Sequence, residues 1–279
     1  MTSRSLLDVL QERFPDSSKT TLRKMLQNDR VSINGVTERD ARRIITGSDH
    51  LDLGPRLDRG RLSSRVRILY EDESIITVHK DPGLLTVASP AETSETVESF
   101  LNLHLGGRSN DPRIHVVHRL DRDSSGVLVF ARNTHVRDKL QELFAEHDIE
   151  RVYVAIVHGA LRDPTGTFRS FLTEDRSLRV KSDTKGGKEA ITHFKTIAAG
   201  ESYSMLEVTL ETGRRNQIRV HLAESGHSIV GDTMYGQGLP NPLGRLGLHA
   251  RDLGFVHPIT RKLVAFTAPV PSSFTQLKL

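Results

Sequence analysis

The sequence predicts an α+β protein, a large domain built on a largely antiparallel mixed β-sheet and preceded by a small α/β domain. Three observations predict it. From Val66 onward, strand-like runs follow one another with few helices between them: RVRILYE, SIITVHK, GVLVFAR, RVYVAIVHG, AITHFKTIA and YSMLEVTL. That order suits an antiparallel sheet better than a βαβ one. The first 54 residues instead carry helical periodicity and then a hairpin. Between the two, GPRLDRGRLS (55–64) mixes Gly, Pro and charge without an apolar period and reads as a linker. We therefore expect domains over 1–54 and 65–279, which a chain of 279 residues can accommodate.

In the small domain, Ser5 and Asp8 form a capping box ahead of Leu6, Val9, Leu10 and Phe14 at helical spacing. Ser18 caps a second helix whose apolar face is Leu22, Met25 and Leu26. Asn34-Gly35 in VSINGVT is a two-residue hairpin signal, and TGSDHLDL closes the unit with a turn and a strand. In the large domain, Asn133 caps a helix running to His147 with a core stripe of Val136, Leu140, Leu143 and Phe144. A second helix is expected over Thr212–Ser225. Neither an internal repeat nor a low-complexity tract is present.

Composition removes several chemistries. There is no cysteine, so disulfides, a thiolate nucleophile and cysteine-ligated zinc are excluded. No apolar run approaches the roughly 20 residues that span a bilayer, and MTSRSLLDVL lacks the order of a secretion signal. A cytoplasmic monomer with no membrane partner is expected. The net charge of +4 and pI of 9.4 raise the odds of a nucleic-acid partner. With no tryptophan and 5% aromatics, binding would rest on charge and one or two rings and not on a stacking platform.

The segment richest in chemistry is HVVHRLDRDSSGVLVFARN (115–133), where a polar turn holding His118, Arg119, Asp121, Arg122 and Asp123 precedes a buried strand. The plain reading pairs the aspartates with the arginines or lets them cap the turn with Ser124 and Ser125. HRLDRDSSGVLVFAR, however, resembles the signature of the RluA-type RNA pseudouridine synthases. Further segments match in that family's order: ILYEDESIITVHKDPGLLTV, RVYVAIVHG, ETGRRNQIRVHLAESGHSIVGDTMYG and LHARDLGFVHPITRKLVAFTAP, with the helix, helix, hairpin unit ahead of them. That unit resembles the RNA-binding module shared with ribosomal small-subunit protein 4, which would make Lys19, Arg23, Lys24 and Arg30 RNA contacts and not merely a solvated face.

The resemblance implies a pseudouridine synthase catalytic domain with Asp121 as nucleophile. Breaking the bond from ribose to ring nitrogen 1 and rejoining through ring carbon 5 needs no cofactor and no metal, and a carboxylate is ordinarily charged at neutral pH without a separate base. It further implies Arg219 as the partner of Asp121 and Tyr153 as an active-site ring and proton carrier. Arg119 would occupy the space vacated by a flipped uridine. His118 belongs to the same substrate-binding segment, Asp232 and Tyr235 of GDTMYG would shape the pocket wall, and Lys80, Arg122, Arg214 and Arg215 would contact phosphate. Ribosomal RNA is the expected substrate ahead of transfer RNA.

Two positions depart from the family pattern: Asn216 stands where a histidine is usual, and HKDPG replaces N-K-P-x-G, moving proline to position 82. Both bear on substrate choice and on the turn around Lys80. An RNA-binding or RNA-folding factor with weak catalysis is the competing reading, against which stands the complete set Asp121, Tyr153 and Arg219. A metal hydrolase is disfavoured because HVVH precedes a turn instead of lying on a helix. KGGKEA lacks the glycine at position 182 and the Ser or Thr at Glu189 that a nucleotide-binding loop requires.

Overall fold

The structure, a computed structural model, describes residues 4–15, 17–27, 30–53, 63–89, 95–106, 113–175, 179–184 and 186–279, without the side chains of Lys24 and Gln27. The chain divides into two compact units, residues 1–61 with 106–111 and residues 62–105 with 112–279. Most of the linker expected over 55–64 lies outside the described residues.

The first unit contains β1 (Arg4–Ser5), α1 (Leu6–Arg13), α2 (Lys19–Gln27), β2 (Val31–Ile33), β3 (Val36–Thr37), β4 (Ile44–Ile45) and β5 (Leu51–Leu53). The capping box at Ser5 forms in both directions with Asp8, and Ser18 Oγ accepts from the Thr21 N–H at the start of α2. Asn34 and Gly35 both take positive φ, 54° and 80°, as the mirror-image turn between β2 and β3 demands. Leu6, Leu10, Leu22, Leu26, Val31 and Ile33 are buried together. Lys19 and Arg23 are exposed and Arg30 is half-buried; the side chain of Lys24 lies outside the described residues.

The second unit contains β6 (Val66–Glu71), β7 (Ile75–Lys80), α3 (Val97–His104), β8 (His115–Val116), β9 (Ser125–Ala131), α4 (Thr134–Ala145), β10 (Glu150–His158), β11 (Thr165–Glu174), β12 (Val180–Asp183), β13 (Lys188–Ala199), β14 (Tyr203–Leu210), α5 (Gln217–Glu224), β15 (Leu248–Val256), β16 (Leu263–Thr267) and α6 (Ser272–Thr275). Among the described residues the strands form one sheet of eleven, ordered β12-β11-β13-β14-β10-β15-β9-β7-β6, with β16 on β15 and β8 on β9. Every pairing is antiparallel except β15 with β9.

From Val127 to Ala131, β9 is apolar without alternation because both of its faces are buried. Val127, Val129 and Ala131 face a core with Val136 and Leu140 of α4, while Leu128 and Phe130 face another with Val97 and Leu101 of α3. A strand buried on both faces shows a continuous apolar run instead of an alternating one. At its start Gly126 has φ 124°, and a Cβ there would lie 2.1 Å from the Ala250 carbonyl oxygen of β15. Only glycine lets the two strands approach so closely. The polar turn bearing Asp121 therefore enters the sheet at a rigid point.

Candidate active site

The turn bearing Asp121 is fixed at three places. Leu120, buried in the α3-side core, gives its N–H to Thr86 Oγ1 at 3.2 Å and accepts the same hydroxyl at 2.9 Å. The Arg122 carbonyl accepts from Lys80 Nζ at 2.8 Å. His118 Nε2 accepts the Val129 N–H at 3.2 Å while its ring stacks on Phe144 at 4.6 Å. Asp121 is thus held between two buried anchors, with its carboxylate one-third exposed.

Arg219 comes to it from α5, 98 residues away in sequence. Its Nη1 donates to Asp121 Oδ2 at 3.1 Å and to Asn216 Oδ1 at 3.1 Å. Its Nε and Nη2 donate to the two oxygens of Asp232 at 2.7 and 2.8 Å, a two-pronged contact that fixes the guanidinium plane. Asp232 is itself buried and accepts the N–H groups of Met234 and Tyr235. Burial works against the charge of Arg219, but the hydrogen bonds and attraction of Asp232, and then of Asp121, outweigh it and raise its pKa. Burial likewise opposes ionisation of Asp232, and Arg219 with the two N–H groups overrides it, so that its carboxyl lies below the usual range.

Tyr153, on β10, and Asp121 both line a cleft of about 1070 Å³ together with Arg219. Burial pushes the Tyr153 hydroxyl up, nearby Arg151 pulls it down, and Asp121 adds to the rise. A neutral phenol beside a carboxylate can carry a proton and present a ring to a base. Arg119, Arg122, Arg214 and Arg215 also line the cleft and are exposed. Arg214 Nε donates to the Glu189 carbonyl, and Arg215 pairs with Glu174 at 2.6 Å.

Two sequence-based expectations need correction. Lys80 is no phosphate contact: it is fully buried, and its ammonium donates to the carbonyls of Asp81, Leu84 and Arg122 at 3.1, 2.8 and 2.8 Å. Burial lowers its pKa to about 7 against the attraction of Asp123 and Asp121. Asp232 and Tyr235 do not form the pocket wall, which Thr233 and Met234 supply. They stand behind Arg219, with the Tyr235 ring 5.3 Å from the guanidinium and its hydroxyl bonded to the Val180 backbone. His118 lines the cleft through a neutral ring: its Nε2 accepts the Val129 N–H, and burial, aided by Arg151, lowers its pKa to about 3.

The helix carrying Arg219 starts five residues later than expected, at Gln217. Gln217 is buried and satisfies both ends of its amide, accepting from Thr212 Oγ1 and the Arg214 N–H and donating to the Ile191 carbonyl and Thr192 Oγ1. Asn216 before it has φ 53°, a left-handed conformation that asparagine tolerates better than most residues. Phe144, read from the sequence as core alone, also faces the cleft. Arg151, overlooked in the sequence, is 7% exposed and lines the cleft two residues before Tyr153 on β10. An apolar residue at an alternate strand position would have been the ordinary choice there, and that mismatch was the available signal. Among the described residues no three His, Cys, Asp or Glu side chains converge as metal ligands, and no helix is long and apolar enough to cross a membrane.

Comparison with known proteins bears on this arrangement. A family model described as RNA pseudouridylate synthase matches residues 74–224. An uncharacterized RNA pseudouridine synthase of Synechocystis sp. is 34% identical over 283 aligned residues, covering 96% of this chain and 86% of that one. Ribosomal large subunit pseudouridine synthase D of Xylella fastidiosa is 35% identical, again covering 96% and 86%. Among solved structures, human RNA pseudouridylate synthase domain containing 4 superposes with a TM-score of 0.62 at 22% identity, over 75% of this chain and 90% of that one. At that identity the likeness is one of fold.

Proposed function

The chain belongs to the RNA pseudouridylate synthase family and is an RNA pseudouridine synthase, an isomerase; on that premise we propose that it isomerises specific uridines of ribosomal RNA through Asp121, without metal or cofactor. Ribosomal RNA is favoured over transfer RNA because several similar proteins, from Xylella fastidiosa and Haemophilus ducreyi among others, are ribosomal large subunit pseudouridine synthases. The observation that carries the mechanism is the bridge Asp121–Arg219–Asp232 at the cleft beside Tyr153.

A uridine stacked in folded RNA is out of reach of a carboxylate, so the target nucleotide must first leave the stack. Arg119, exposed and two residues from Asp121, can fill the space it leaves. Arg219 orients the Asp121 carboxylate through the 3.1 Å hydrogen bond from Nη1, which is pre-organisation for nucleophilic attack. The same placement serves attack at the ring or at the ribose. The bond from C1′ to N1 breaks, the uracil turns, and a bond from C1′ to C5 forms. The C5 proton is lost, N1 ends protonated, and the carboxylate is regenerated, so the sequence is redox-neutral and consumes nothing. Tyr153 lies where its ring can support the detached base and its hydroxyl can relay the proton. The module preceding residue 55 would add phosphate contacts through Lys19, Arg23, Lys24 and Arg30, in keeping with its resemblance to the small-subunit protein 4 module.

The test is to incubate the purified protein with unmodified large-subunit ribosomal RNA transcript and map pseudouridine. Wild type should modify discrete uridines. Asp121→Asn keeps the side-chain size and loses the nucleophile, so it should bind the transcript without turnover. Pseudouridine formation by that variant would overturn the assignment.

A further inference from the structure

We propose that Arg151 is a phosphate-binding residue, with Nη1 open to the cleft to receive a phosphodiester oxygen of the strand that delivers the target uridine; this rests on the cleft being the uridine site. The contrast with Arg219 carries the argument. Arg219 spends its donors on two carboxylates and an amide oxygen. Arg151 is as deeply placed, 7% exposed, yet no described carboxylate lies within ion-pair distance of it. Its Nη2 donates to the carbonyls of Leu210 and Glu211 at 3.2 and 2.8 Å. Its Nε is buried without a partner, and its Nη1 makes no hydrogen bond to a described residue.

A buried cation lacking an anion is costly, because two neutral carbonyls offset only part of the missing hydration. Burial lowers the pKa of Arg151, Tyr153 opposes that, and Arg214 on the same cleft lowers it further. Arginines outnumber aspartates six to two along the cleft, an excess of positive charge that favours an anion there. The Phe144 ring, 5.6 Å from the guanidinium centre, flanks its plane and leaves the edge to donate. Gly213 keeps the Nη1 end clear, since a Cβ there would lie 2.6 Å from it. A uracil carbonyl would not offset the charge, whereas a phosphodiester matches both its sign and its planar fork. Arg151 and Tyr153 occupy the same strand face two residues apart, roughly 7 Å, a separation on the scale of one nucleotide.

The test measures binding of a fluorescent ten-residue oligouridylate to the full-length protein across a salt series. Arg151→Gln should bind about tenfold more weakly, as expected when a hydrogen bond to a charged group is removed, and the slope of log affinity against log salt should fall by about 0.7. Arg151→Lys should keep most of the slope. Gly213→Ala, which crowds Nη1 without touching the charge, should weaken binding too and serves if Arg151→Gln does not fold. A folded Arg151→Gln with unchanged affinity and slope overturns the proposal, and so does unchanged binding by Gly213→Ala when Arg151→Gln is unfolded. The same variants assayed on large-subunit transcript separate this from the enzymatic reading. If wild type forms pseudouridine and Arg151→Gln keeps its KM, the phosphate site fails and the enzyme stands. If wild type modifies nothing while Arg151→Gln loses slope on oligouridylate, the enzymatic reading fails and the anion site stands.

Discussion

Removing Arg219 tests the centre of the site through stability as well as activity. Asp232 has no exposed side-chain surface and depends on Arg219 for two of its hydrogen bonds. Leaving such a carboxylate unpaired costs about 3 to 5 kcal/mol. For a cooperative unit of this size each kcal/mol moves Tm by about 2 to 4 °C, so Arg219→Ala should melt roughly 6 to 20 °C lower. The pH dependence identifies the cause. In the wild type the Asp232 pKa is depressed, so its contribution is complete above the unfolded carboxyl value, about 3.9, and drains away only as pH falls through the folded one. Without Arg219, burial dominates and raises that pKa, so the penalty grows as pH rises above the unfolded value and shrinks on acidification. The difference in Tm between wild type and variant, read by calorimetry, should therefore be smaller at pH 5 than at pH 7.5. Adding Asp232→Asn to Arg219→Met should recover much of the loss, because the buried charge is gone along with its partner, while pseudouridine formation stays absent. An unchanged Tm, or a difference that does not narrow at low pH, would refute the view that Arg219 neutralises a buried acid.

Lys80→Met should lower Tm by leaving the Leu84 and Arg122 carbonyls without their donor, about 1 to 3 kcal/mol, and kcat should fall more than KM rises because the turn beside Asp121 loosens. Steady-state kinetics on the transcript would check this, and a KM effect alone would restore Lys80 as a phosphate ligand. Deleting residues 1–61 should raise the RNA dissociation constant and lower the salt slope by up to about 0.9 for each phosphate that the first unit neutralises, with single-turnover rates at saturating enzyme unchanged. Abolished single-turnover activity would mean that the first unit builds part of the active site.

The sequence exposed the parts of this fold that local chemistry dictates. The capping box at Ser5, the Asn34-Gly35 turn and the runs that became β6, β7, β9, β10, β13 and β14 each follow from residues within a few positions of one another. Thr165–Glu174 escaped notice although its alternating burial is a period-two strand. The parallel junction of β9 and β15 joins Gly126 to Ala250, and no local signal carries a pairing across such a distance. The same divide runs through the site. The resemblance selected Asp121, Tyr153 and Arg219, and all three line one cleft. It could not tell which charged heads turn inward: Lys80 was read as a phosphate contact, and its ammonium instead found three carbonyls. Asp232 was read as wall because the resemblance assigns GDTMYG to the pocket, whereas its side chain points at the arginine behind the wall.

These inward turns bear on how a basic cleft can hold the carboxylate proposed as nucleophile. The cleft is lined by six arginines and two aspartates, Asp121 and Asp123, a formal charge of +4 that equals the net charge of the whole chain. An unshielded anion at its base would repel RNA phosphates, and an unpaired arginine beside Asp121 would tie the carboxylate into a closed ion pair. Arg219 avoids both, because Asp232 takes two of its edges and leaves one nitrogen, shared with Asn216, to touch Asp121 from the side. The triad of Asp121, Arg219 and Asp232 carries a net charge of −1, but one of its carboxylates is buried away from the cleft. On the proposed reading RNA meets arginines in the cleft, and of its two aspartates Asp121 is the one that Arg219 orients. That order, attraction for the backbone outside and the proposed nucleophile for one base inside, is what a reaction on a flipped uridine requires.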